Sequence, residues 1–124
     1  VYFLVATLEY LAKGGRIGGA SALLGNALKI KPILTISHGV VEQHSRERTV
    51  SKAVTHLKSL VMQKFPSAKE GFLTIMHADN HSLAQDLSTF FKHQLDIPNP
   101  AISNLPPAII THAGPGSIAV GFFV

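Results

Sequence analysis

Two hydrophobic periods divide this chain into short elements. Over 49–64, apolar residues recur at Val50, Ala53, Val54, Leu57, Leu60 and Val61, leaving Lys52, Lys58 and Gln63 outside. This three-to-four spacing predicts an amphipathic helix. Residues 82–91 repeat the pattern, with Leu83, Leu87, Phe90 and Phe91 inward. Residues 71–78 and 2–7 are apolar and β-rich, as in buried strands, and 32–37 and 40–43 read as a hairpin turned at His38-Gly39. Thr7 and Glu9 open a helix over 8–13 that Gly14 and Gly15 stop, and a small-residue helix is predicted over 18–28. The four prolines of "DIPNPAISNLPP", Pro98, Pro100, Pro106 and Pro107, predict a loop over 96–107. Strands over 108–111 and 117–123 then flank "HAGPG", whose Gly-Pro-Gly forces a tight turn. Alternating strands and helices predict an α/β two-layer sandwich, a mixed sheet with helices mainly on one face.

With 124 residues, 46% of them apolar and 15% charged, the chain is long enough for a single core and too short for two. It opens on "VYFLVATLEY", without an initiator methionine or a cleavable leader pattern, so the expectation is a piece of a longer protein. Charged residues or prolines interrupt every apolar run short of the roughly 20 residues that span a bilayer, which predicts a soluble domain. The absence of cysteine removes disulfide and thiolate chemistry. The net charge of +4 favours anionic partners, but the lysines are scattered singly rather than clustered with aromatics as in a nucleic-acid footprint.

Several constellations invite chemistry. "KGGRIGG" presents Arg16 among glycines near a helix start, where backbone N–H groups can approach an anion, yet it matches no phosphate-loop spacing; a solvated arginine at a helical corner is the bland alternative. "THAGPG" sets His112 at a predicted strand end before a rigid turn, placed to donate to an anion, to act as acid or base, or simply to brace the turn. His77 and His81 straddle a strand end and a helix start with no third ligand assignable, so no metal is expected, and capping by Asp79, Asn80 or Ser82 accounts for the stretch. Arg46 and Arg48 precede the long helix, where a cation opposes the helix dipole and a nearby anion would explain it. No nucleophile elbow or carboxylate pair stands out, so no catalytic residue is assigned.

Together, "TLEYLAKGGRIGGASALLGNALKIKPIL", "RTVSKA", "MHADN" and "THAGPGSIAVGFF" resemble the C-terminal domain of the DegV family of bacterial fatty-acid-binding proteins, in order and over nearly the whole chain. Val50 and Ser51 depart from a family that often carries more basic residues there. The resemblance implies a single C-terminal lid domain over 1–124, whose own N-terminal domain grips the carboxylate of a long-chain fatty acid held between the two. It implies Arg16, Arg48 and His112 near the head group, and a cytoplasmic carrier without catalysis or cofactor. A fatty acid kinase is the implied partner, with no nucleic acid and at most transient membrane contact. Leu23, Leu24, Leu28 and Ile33 are candidates for the acyl wall and equally for plain core. Two other classes stay open: a basic regulatory or nucleic-acid-binding module, and an acyl or phosphoryl transferase half acting through His112.

Overall fold

The computed structural model describes residues 1–26, 30–66 and 71–123, with the backbone alone over 24–26. In chain order come β1 (Tyr2–Leu4), α1 (Glu9–Lys13), a 3-10 segment (Gly18–Asn26), β2 (Lys31–Ser37), β3 (Val40–Glu47), α2 (Val50–Lys64), β4 (Leu73–His77), α3 (His81–Leu95), β5 (Ala101–Asn104), α4 (Pro107–Ala113) and β6 (Ile118–Phe122). The strands form one six-stranded sheet in the order β3-β2-β1-β6-β4-β5. Only β4 and β5 run parallel, joined by α3; the other pairs are antiparallel, so the sheet is mixed as expected.

Because successive strand side chains point to opposite faces, each strand contributes to two cores. Tyr2, Leu4, Ile33, Ile75, Ile118 and Val120 pack against α2 and α3 through Leu57, Val61, Leu87 and Phe91. On the other face, Leu34 and Val41 meet Leu8 and Leu11 beside α1 and Ala20 and Leu23 of the 3-10 segment. Phe3, Met76 and Ala119 sit beside Ile110 of α4. The long helices thus own one face, and short pieces cover only part of the second.

The periodic segments form as expected. α2 starts where Thr49, in extended backbone, accepts a hydrogen bond from the Lys52 amide at 3.1 Å, and it stops at Phe65, before Pro66. Three expectations are corrected. Segment 18–26 is 3-10 rather than α-helical, consistent with Gly18, Gly19 and Gly25, each of which costs an α-helix about 1 kcal/mol. The proline-rich loop contains β5, because the prolines flank Ala101–Asn104 and leave four residues free to pair on the sheet edge. Residues 108–111 are helical, not a strand: Pro107 sits in the first turn, where its fixed φ is favourable and its missing N–H costs nothing.

At the far edge, β3 lays His44 and Glu47 against α2. The His56 Nδ1 lies 3.0 Å from a Glu47 carboxylate oxygen, and His44 meets the Tyr2 ring edge-on. Partial desolvation lowers the His44 pKa below its ordinary 6.5, with Lys64 and His56 adding to the effect. The folded chain therefore holds this proton less tightly than the unfolded one, so His44's contribution to stability is present above 6.5 and lost as pH falls through the depressed folded value. An NMR titration is expected to place the His44 midpoint below 6.5, and Lys64→Ala should raise it; a midpoint at or above 6.5 would contradict this packing.

Candidate functional site

The part of the second face left uncovered is a cavity of about 450 Å³, within the roughly 300–1,000 Å³ of ligand sites. Its floor comes from the sheet, through Phe3, Ile36, Val41, Met76 and Ala119, and its side from Leu105 and Ile109 around α4. The polar side chains along its lining are Arg16, His112 and Ser117. Ser117 is committed to the backbone, since its hydroxyl is shared between the carbonyls of Ala113 at 3.0 Å and Gly114 at 2.7 Å. Arg16 and His112 remain, and no acidic side chain is among the described lining residues.

Local structure explains how each of these two comes to line the cavity. The turn after α4 is held from below by β4: Gly116 donates to the Ala78 carbonyl at 2.6 Å, and Asn80 Nδ2 donates to the Gly116 carbonyl at 3.0 Å. The "HADN" and "AGPG" stretches are therefore one structural unit, with the Asn80 backbone N–H donating to His77 Nδ1 at 3.1 Å. His112 lies in the last turn of α4 rather than at a strand end, half-buried, with Nδ1 buried and without a hydrogen-bond partner. A buried unpaired nitrogen costs about 1–3 kcal/mol, which the packing around the ring must offset. Arg16 emerges from the turn after α1, exposed, and its Nη1 donates to the Gly14 carbonyl at 3.1 Å.

Arg48 does not join them. It follows the Lys31↔Glu47 end of the β2–β3 hairpin, whereas Ile36 and Gly39, which line the cavity with Arg16, lie at the Ser37↔Val40 end. Six strand steps, roughly 20 Å, separate those ends. Nor does Ile33 line the cavity, because it points to the α2–α3 face and is fully buried there. Leu23 is buried in the core beneath the 3-10 segment. The Leu24 side chain and Leu28 lie outside what is described. The side chains that do form the wall include Ile36, Met76, Leu105 and Ile109; strand alternation in "KPILTIS" already assigns Ile33 and Ile36 to opposite faces, and that signal identifies Ile36. Among the described residues no group of three His, Cys, Asp or Glu side chains is placed to hold a metal, and no helix is long and apolar enough to cross a membrane.

The family model described as "Uncharacterised protein, DegV family" matches residues 1–124. The chain belongs to the DegV family. It is 36% identical over 121 residues to a DegV domain-containing protein of Clostridium acetobutylicum, covering 98% of this chain and 42% of that one. The solved structure of a fatty acid binding DegV family protein from Streptococcus agalactiae superimposes with a TM-score of 0.86 at 30% identity, over 98% of this chain and 43% of that one. A DegV family protein of Ruminococcus gnavus solved with vaccenic acid gives 0.79 at 26% identity, over 98% and 43%. This DegV chain thus spans less than half the length of the relatives it matches, and those relatives include proteins described as binding fatty acids.

Proposed function

We propose that this chain is the C-terminal half of a fatty acid carrier and that its cavity receives the acyl tail of one long-chain acid. The observation that carries the reading is the apolar cavity of about 450 Å³ lined by His112 and by Arg16, whose guanidinium keeps donors beyond the one given to Gly14. A tail gains about 0.8 kcal/mol per buried methylene, while its carboxylate must keep charged or hydrogen-bonding partners; one greasy wall with a basic pair meets both demands. Ile36 and Ile109, both lining the cavity and about half exposed (46% and 49%), are suited to being covered by the protein's own N-terminal domain. In this reading the full protein is cytoplasmic, performs no catalysis of its own, and presents the head group to a fatty acid kinase. Arg48, exposed and apart from the cavity, is then available to that partner rather than to the ligand.

Native mass spectrometry of the full-length protein should reveal a co-purified long-chain fatty acid. Arg16→Ala and His112→Ala should each weaken its binding about tenfold, the loss expected for one hydrogen bond to a charged group. Repeated preparations free of fatty acid, together with no binding on titration, would refute the proposal.

A further inference from the structure

α1 and α4 each end in a glycine that receives a ring from the other. Gly14, which closes α1, has φ −81° and ψ −2°, a right-handed conformation that alanine adopts without strain. The sharp turn belongs to the next residue, Gly15, at φ 70°. Gly14 is nevertheless closed to a side chain, because a Cβ there would fall on Nδ1 and Cε1 of His112. Reciprocally, a Cβ on Gly114, which closes α4, would fall on the ring of Tyr10. His112 makes no side-chain hydrogen bond among the described residues, so this packing, rather than a hydrogen bond, fixes its ring. The same Gly14 accepts Arg16 Nη1 on its carbonyl.

We propose that Gly14 and Tyr10 are positioning residues for the head-group end of the cavity. Gly14 holds the imidazole against its α-carbon and the guanidinium on its carbonyl, and Tyr10, seated on Gly114, keeps α4 close enough for the first contact. The two donors are thereby set for a carboxylate or acyl phosphate before it arrives, which spares binding the cost of ordering them. The identity of that ligand rests on the fatty acid carrier reading; the interlock itself does not.

The test is a double-mutant cycle in the full-length protein, comparing Gly14→Ala, His112→Ala and the pair, with a long-chain fatty acid titrated and thermal unfolding recorded. Gly14→Ala alone should weaken binding about tenfold, the worth of one misplaced charged hydrogen bond, and lower the melting temperature. In the His112→Ala background the same change should leave affinity unaltered and hold or raise the melting temperature, since alanine is the better helix residue once the ring is gone. Tyr10→Ala should shift the His112 ring nitrogen resonances, and Tyr10→Phe should restore them. Equal cost of Gly14→Ala in both backgrounds, or imidazole resonances indifferent to Tyr10→Ala, would overturn the proposal. Coupling in the melting temperatures with no fatty acid bound by any form would instead overturn the carrier reading and leave the interlock standing.

Discussion

Replacing Phe91 by alanine is expected to remove about 3–5 kcal/mol of stability, enough to bring a domain of ordinary stability close to unfolding at room temperature. Phe91 is fully buried between α3, α2 and the sheet, so truncation deletes a ring from a site with no solvent to refill it. Its neighbour Phe90 is only partly buried, with the Lys58 ammonium 4.6 Å from its ring centroid. Phe90→Ala should therefore cost much less, about 1 kcal/mol, from partial burial and an exposed cation–π contact. Denaturant unfolding reads both as midpoint shifts at constant slope. Equal losses for the two phenylalanines, or a Phe91→Ala midpoint near that of the parent, would mean that α3 does not pack as described.

That pair marks how far periodicity reaches. The spacing of "SLAQDLSTFF" identifies the helix and its apolar stripe, but adjacent residues are about 100° apart on a helix, and only packing decides which ring occupies the centre of the stripe. Strands are legible for the same kind of reason: the hairpin turn at His38-Gly39 and the pairing of 34–37 with 40–43 follow from alternation and turn chemistry, both local, whereas the extension of β3 to Glu47 does not. What escaped was decided by context. "PPAII" is apolar and β-branched, yet its leading prolines suit a first helical turn, and the chain goes helical. "AISN" has too few residues to show a period, and it becomes a strand because the edge of β4 offers it partners.

The site divides along the same line. Arg16 and His112, distant in sequence, both stand out by their glycine-rich surroundings, and both line the cavity because α1 and α4 interlock end to end. Arg48 is a candidate on other grounds, a cation opposing the dipole of the following helix, and strand length carries it to the opposite end of the hairpin. Gly14 illustrates a further limit. From sequence, a Gly-Gly pair reads as a turn, and only the fold separates the glycine that turns the chain from the glycine that makes room for a ring.

The largest functional effect is expected from Ala119→Leu. Ala119 lies on β6 at the cavity floor beside Phe3 and Met76, where a longer side chain projects into the space proposed for the acyl tail. Leucine adds three carbons. If each displaces one methylene of ligand from the cavity, at about 0.8 kcal/mol apiece, the loss is about 2.4 kcal/mol, or about 50-fold in affinity. Ala119 is itself buried (6% exposed) in a cluster with Ala78 and Leu105, so part of the added bulk presses on neighbours, and stability should fall by at most the roughly 1–3 kcal/mol of overpacking. The longest acids should lose most, since shorter ones can occupy the volume that remains. Titrating a series of fatty acids of graded length against the full-length variant tests this directly, with Ile33→Val as the control: that residue is buried on the opposite face of the sheet, so its truncation should lower stability and leave the length profile unchanged. Long acids bound by Ala119→Leu as tightly as by the parent would remove the tail from this cavity, and with it the reason for a sheet face that is apolar, open and bordered by Arg16 and His112.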